Sequence, residues 1–359
     1  MYRKMIAGLA GSVIVLAACG GDDDAVDTTV AETTVPAPST SVGSAASATT
    51  FPTATPATTA IGDRTRATTI PSDTPTTSTT STTSTTTTTT TTPPEPAVPS
   101  SIISLSPTAT EMLYAIDAGD QVLAVDDFSN YPDAAVAKQA GISGYEPNVE
   151  AIVGLGPDLV LTDGTNPDFL AQLDALGVEH WEGPAAAGFD DVYAQIEQLG
   201  AATGHVAEAA ALVAQMQSDV AAVKAGLPQL EQPLTYYHEL DPTYFSVTSD
   251  TFIGAVYGEI GLVNIADAVG DGNPYPQLSA EFIVAQDPDL IFLADTLWSG
   301  ESAETVAARD GWDAITAVQN GSVIEMNDDI ASRWGPRIVE YLQIAGDAVA
   351  VAASVQPFG

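Results

Sequence analysis

Chemistry in this chain is limited first by its cations. Beyond Ser100 there are only five basic residues, Lys138, Lys224, Arg309, Arg333 and Arg337. Two of them, Arg333 and Arg337, stand four apart, ahead of a last apolar helical pattern. An arginine offers a planar fork of donors suited to carboxylate, phosphate or amide oxygens. Arg333, in a loop, is therefore a candidate for holding an anionic group of a ligand, and Arg337 reads as a structural ion pair. Histidines number three: His180, His205 and His238. They share no short motif, although His238, with Glu239 and Asp241 close by, follows an expected strand and has the chemistry to ligate a metal or haem iron. The single cysteine is Cys19, so the chain forms no internal disulfide and its globular part carries no thiol nucleophile. There is no Gly-x-Ser-x-Gly elbow, phosphate loop or His-Glu-x-x-His motif, and no spacing favours a carboxylate-pair hydrolase. What remains is recognition: acidic side chains, aromatic rings and a few arginines.

The aromatic rings fall in loops. Phe128, Tyr131, Tyr145, Tyr244, Phe245, Tyr275 and Trp298 all follow or separate expected strands. A large, flat, partly apolar ligand wants such walls.

The elements that would carry these loops are organised around a stretch that occurs twice. PNVEAIVGLGPDLVLTD runs from Pro147 to Asp163, and PQLSAEFIVAQDPDLIFLAD from Pro276 to Asp295. In each, a cap residue (Asn148, Ser279) precedes a glutamate (Glu150, Glu281) by two positions, and Pro-Asp-Leu follows. Each copy reads as cap, short helix, turn and buried parallel strand. Two copies predict two lobes built alike. Further strands are expected at Ser101 to Leu105, Gln121 to Val125, Val178 to Trp181, Leu234 to His238 and Ser322 to Met326. Helices are expected from Pro107 with Ser106 as cap, over Phe189 to Leu227 with a break near Thr203-Gly204, over Phe252 to Ile260, from Glu301, and from Arg337 to Val355. Alternating strands and helices imply an α/β fold with parallel sheets. The piece from His205 to about Ala225 would span about 31 Å, enough to join two lobes.

The N-terminal part is of another kind. Arg3 and Lys4 precede an apolar run that ends in Leu16-Ala17-Ala18-Cys19. The run is short for a membrane span and reads as a secretory signal. Its end matches the bacterial lipobox, which implies cleavage before Cys19 and a lipid on its sulfur. Residues 19–99 are Thr-, Ser-, Ala- and Pro-rich, with too few large apolar residues to form a core, and read as a disordered tether of the composition found in O-glycosylated stalks. The net charge of −38 excludes attraction to nucleic acid or anionic headgroups, so acyl chains must provide the membrane attachment.

With SIISLSPTATEMLYAI, VAVDDFSNYP, EPNVEAIVGLGPDLV, YPQLSAEFIVAQDPDLI and RWGPRIVE in view, residues 100 to 355 resemble the substrate-binding lipoproteins of ABC transporters. The resemblance is to the helical-backbone class, class III, which binds cobalamin, ferric siderophores and haem, and it is nearest the cobalamin-binding branch. It implies two Rossmann-like lobes (residues 100–203 and 228–359) joined by one long helix (residues 205–226) that permits only slight closure. It also implies that Glu150 and Glu281 dock into arginines of an ABC permease dimer; the helix macrodipole alone would equally favour acids there. Phe128, Tyr131, Tyr145, Phe245, Tyr275 and Arg333 become the expected ligand contacts. The cargo is a metal chelate, a corrinoid first, then a ferric siderophore or haem. No catalytic residue, resident cofactor or protein-ligated metal is expected. The expected partners are the permease and its ATPase, with a monomeric receptor lipid-anchored on the outer face of the cell membrane. A surface-anchored α/β hydrolase or adhesion module is the alternative of another class.

Overall fold

The computed structural model describes residues 98–270 and 272–355. The expected signal segment, Cys19 and the tether up to residue 97 lie outside the described residues.

Eight short strands form two sheets of four. β1 (Ile102–Ser104), β2 (Val122–Val125), β3 (Leu159–Thr162) and β4 (His180–Glu182) make the first; β5 (Thr235–Glu239), β6 (Val263–Asn264), β7 (Leu290–Leu293) and β8 (Val323–Glu325) make the second. Both have the same order, β2-β1-β3-β4 and β6-β5-β7-β8, and every pairing is parallel. The central strands β3 and β7 are buried throughout, as strands covered on both faces must be. The repeated stretch is thus the third strand of each lobe with its preceding helix.

The repeat does more than place apolar residues. Asn148 and Ser279 cap the helices Val149–Gly154 and Ala280–Gln286, accepting from the amides of Ala151 at 2.9 Å and Phe282 at 3.2 Å. The Pro-Asp-Leu aspartates then tie each third strand to the start of the first. Asp158 Oδ2 accepts from the amide and hydroxyl of Ser100, both at 2.8 Å. Asp289 Oδ2 accepts from the amide and hydroxyl of Thr235, at 2.8 and 2.9 Å. These four bonds hold the register in both lobes, a role that the motif did not suggest.

The break at Thr203-Gly204 separates helix Phe189–Thr203 from helix Val206–Gly226. Gly204 ends the first in the left-handed conformation, φ 79°. The helices approach closely where Gly200 meets Ala209; a Cβ on Gly200 would come within 2.4 Å of the Ala209 methyl. Ala209, Val213, Met216 and Val223 form the buried stripe of the connector. Through them one apolar cluster continues from Met112 and Val192 in the first lobe to Tyr257 and Tyr341 in the second. The lobes therefore share a core, and they are not hung on flexible crossings.

Helix ends shift where side chains decide them. The helix expected from Glu301 spans Ala303–Ala307, because Ser302 and Thr305 form a capping box after it. Glu301 is free to bond the Thr305 hydroxyl at 2.7 Å and Arg309 at 2.8 Å. The last helix spans Ile338–Val355 and leaves Arg337 in the preceding loop.

Candidate functional site

Parallel strands carry their loops at C-terminal edges, and here the two edges meet. Asn130, in the loop after β2, donates to Asp329 Oδ2 of the second lobe at 2.7 Å. Glu111, on helix Pro107–Ala115, is only 3% exposed. Its Oε1 accepts from Arg333 at 2.9 Å and also from Arg337, whose Nε donates to Oε2 at 2.8 Å. Arg333 donates in addition to Asn130 Oδ1 at 2.8 Å, to the Phe128 carbonyl at 3.1 Å and to Asp329 at 2.6 Å. The guanidinium of Arg337 lies 4.3 Å from the Tyr131 ring centre. Two arginines, two carboxylates and an amide thus bridge the lobes. Glu111 and both arginines are largely buried, and each charged partner has an opposite one within hydrogen-bond distance.

Beside this bridge lies a cavity of about 310 Å³. Its first-lobe wall is Leu105 to Thr108, Asp126, Phe128, Gly144, Tyr145 and Asp163; its second-lobe wall is Asp329, Ser332, Arg333 and Trp334. Phe128 and Tyr145 meet edge to face at 5.4 Å, and Tyr145 is 80% exposed. Trp334 is oriented by its indole N–H, which donates to Gln195 Oε1 at 3.2 Å. Gly144 allows its loop to pass close to β1: a Cβ there would lie 2.7 Å from both the Leu105 carbonyl oxygen and the Asp126 carboxylate.

The structure brings three of the expected ligand contacts, Phe128, Tyr145 and Arg333, to this cavity. Tyr131, Phe245 and Tyr275 are outside its lining but partly exposed, at 47%, 37% and 50%. They stand on loops at the same C-terminal edges, Phe245 after β5 and Tyr275 between β6 and the helix at Ala280. Two further expectations change. Tyr244 does not face a ligand: its ring stacks on Trp312 at 5.7 Å with the Arg309 guanidinium 5.4 Å away. His238 does not reach the cleft. It is fully buried, its Nδ1 is 2.8 Å from the Tyr257 hydroxyl, and burial pushes its pKa down to about 3. A neutral imidazole fully buried against Tyr257 is not presented to haem iron or a transported metal. His180 lies near Asp174 and Glu182, and His205 precedes the connector.

Sequence reasoning overlooked Asp126, Glu111 and Trp334 as site residues. It also overlooked the second lobe's charge centre, where Arg309 forks onto Glu239, with both bonds 2.6 Å long. Glu239 is fully buried, and the Arg309 guanidinium lies 4.6 Å from the Trp312 ring. Asp295 lies within reach of this charge. Its carboxylate is buried, and burial, then the charges of Glu239 and Glu301, push its pKa up to about 7. Glu150 and Glu281 are exposed on their first helical turns, and among the described residues neither carboxylate has a hydrogen-bond or ion-pair partner.

The sequence pattern of the family described as "Periplasmic binding protein" matches residues 102–330. The chain belongs to this family. Its sheets and long connecting helix are those of the class III members. As a periplasmic binding protein it is similar to the "Cobalamin-binding protein" of Halobacterium salinarum, 36% identical over 251 residues covering 67% of each chain. It is 31% identical over 259 residues to the "Uncharacterized ABC transporter substrate-binding lipoprotein YvrC" of Bacillus subtilis, covering 70% of this chain and 80% of that one. Among solved structures it is similar to the periplasmic vitamin B12 binding protein BtuF of Vibrio cholerae, with TM-score 0.60, 28% identity and coverage of 72% of this chain and 99% of that one.

Proposed function

We propose that this periplasmic binding protein is the extracytoplasmic receptor of an ABC import system. It captures a metal chelate, with a corrinoid such as cobalamin as first ligand, and delivers it to the permease without doing chemistry on it. The reading rests on one observation above the rest. A cavity edged by aromatic rings lies where the C-terminal edges of two like sheets meet, in a chain 36% identical to a protein named for cobalamin binding. Crevices beyond the carboxyl ends of parallel strands are where α/β folds take ligands. The shared apolar core supports a cleft formed in advance, with little reorganisation to offset on binding. In this reading Phe128, Tyr131, Tyr145, Phe245 and Tyr275 supply the apolar faces, and Arg333 shapes the cavity beside them. Glu150 and Glu281 dock to the permease; Cys19 carries the lipid that holds a monomeric receptor at the outer face of the membrane.

The test is a tryptophan-fluorescence titration of the full chain against cyanocobalamin, a ferric hydroxamate, a ferric catecholate and haemin. Trp334 lines the cavity and reports directly. Saturable quenching by cyanocobalamin, lost when Phe245 and Tyr275 are both changed to Ala in a chain that still melts cooperatively, supports the reading. Saturation by a ferric hydroxamate or haemin instead would replace the corrinoid and keep the receptor. Silence from all four would remove the metal-chelate assignment.

A further inference from the structure

The cavity holds more negative charge than its own cations can balance. Arg333 and Arg337 face Glu111 and Asp329, and the four close into a neutral set. The terminal nitrogens of Arg333 are fully engaged, Nη1 by Glu111 and Asn130 and Nη2 by Phe128 and Asp329. Asp126 and Asp163 also line the cavity, and among the described residues neither forms an ion pair; the already paired Arg333 reaches Asp126 only through its field. Asp163 serves its own turn, its Oδ1 accepting from the amide and hydroxyl of Thr165 at 3.0 and 2.8 Å. Asp126 is different. It is 1% exposed, and its Oδ1 has no hydrogen-bond partner. Among the described residues it is the one member of the cavity wall with such an atom. Burial raises its pKa, against the Ser129 hydroxyl, the Ser129 and Phe128 amides and the charge of Arg333, which favour the anion. A buried carboxylate oxygen without a donor costs free energy, which a donor on an incoming molecule recovers.

Size decides what meets that wall. A volume of about 310 Å³ is at the lower end of the range for small-molecule pockets and below the bulk of a macrocyclic chelate. Only an edge of such a chelate enters, so the cavity reads the substituents of that edge. We infer that the cavity is a subsite for N–H donors on the rim of the chelate, carboxamide or ammonium groups, with Asp126 as the specificity-determining residue, and that rims bearing carboxylates are rejected. This rests on the receptor reading above and narrows its ligand class. The rejection is like-charge repulsion: an anionic rim meets Asp126 and Asp163, while the terminal nitrogens of Arg333 are already engaged.

A matched pair of corrinoids tests this. Dicyanocobinamide carries rim carboxamides, and dicyanocobyrinic acid carries carboxylates on the same macrocycle. Calorimetric titration of the full chain should show the amide form bound at least a hundredfold more tightly. Asp126→Asn, which keeps shape and removes charge, should narrow that ratio at least tenfold, with its melting temperature checked to show a native fold. A wild-type chain that binds both forms equally would overturn the inference without any variant. So would a folded Asp126→Asn chain with an unchanged ratio, and in both cases the corrinoid receptor would stand. Absence of binding by either corrinoid would overturn both the inference and the corrinoid reading.

Discussion

Replacing Glu111 with Gln should loosen the two lobes measurably. The substitution preserves shape and removes one charge, leaving Arg333 and Arg337 facing each other with 10% and 16% of their side chains exposed. Three charge-assisted bonds converge on Glu111, each of a kind contributing about 1.5–3 kcal/mol. They share one carboxylate, so their sum overstates the effect. Removing one partner of a buried ion pair costs about 3–5 kcal/mol, which is the better guide. Asp329 still holds Arg333 at 2.6 Å, and Tyr131 still covers Arg337, which argues for the lower half of that range. In a domain of this size about 2–4 °C of melting temperature is lost per kcal/mol, so the midpoint should fall by roughly 6–16 °C. Differential scanning calorimetry at neutral pH measures it. Because these bonds are the charged link between the lobes beside the connector core, the single transition should also broaden toward two. A loss below about 1 kcal/mol, with the transition still single and sharp, would refute the view that this buried bridge couples the lobes.

Three further outcomes follow from the charge centres. Glu150→Ala with Glu281→Ala should leave chelate affinity unchanged and abolish stimulation of the permease-ATPase in reconstituted vesicles, because both carboxylates are exposed and away from the cavity lining; retained stimulation would return them to a helix-dipole role. Asp295 should make the chain less stable as pH rises. Its pKa in the folded chain, about 7, exceeds the ordinary carboxylate value, so its contribution is complete below about pH 4 and is lost as pH climbs through about 7. Asp295→Asn should flatten that slope and melt higher than wild type at pH 8; an unchanged profile from pH 4 to 8 would contradict the burial argument. Arg309→Met should cost about 3–5 kcal/mol in urea unfolding by stranding Glu239, and adding Glu239→Gln should recover part of it. No recovery would mean that the loss comes from packing on Trp312 and Tyr244.

Local signals carried much of the fold. Ser106, Asn148, Ser279 and Thr203-Gly204 mark helix ends by bonds reaching only a few residues, so they are legible in a linear reading. The repeat around Pro-Asp-Leu announced two like lobes because each copy makes the same strand in the same place. Boundaries slipped at Glu301, which the Ser302–Thr305 capping box leaves outside its helix, and at Arg337, whose partner Glu111 is distant in the chain.

The site was less legible because it is made of long-range pairs. Arg333 was singled out by its scarcity and read as a ligand for anions, but its partners Glu111, Phe128 and Asn130 lie more than two hundred residues earlier and, with Asp329, engage its terminal nitrogens. Nothing local separates Asp126 from its neighbour Asp127; only packing against β1 and Gly144 leaves Asp126 buried with an oxygen unpaired. His238 is polar and ends an expected strand, a place suited to a metal ligand, but in the structure it lies within β5, and burial against Tyr257 makes it a core residue. The sequence by itself therefore determined the class of fold, its doubling and its connector, since periodicity and capping act over a few residues. Which charges are spent on one another, which are left for a ligand, and which rings face it were decided by the tertiary structure. Electrostatic pairing and burial depend on distances in space that the order of residues does not contain.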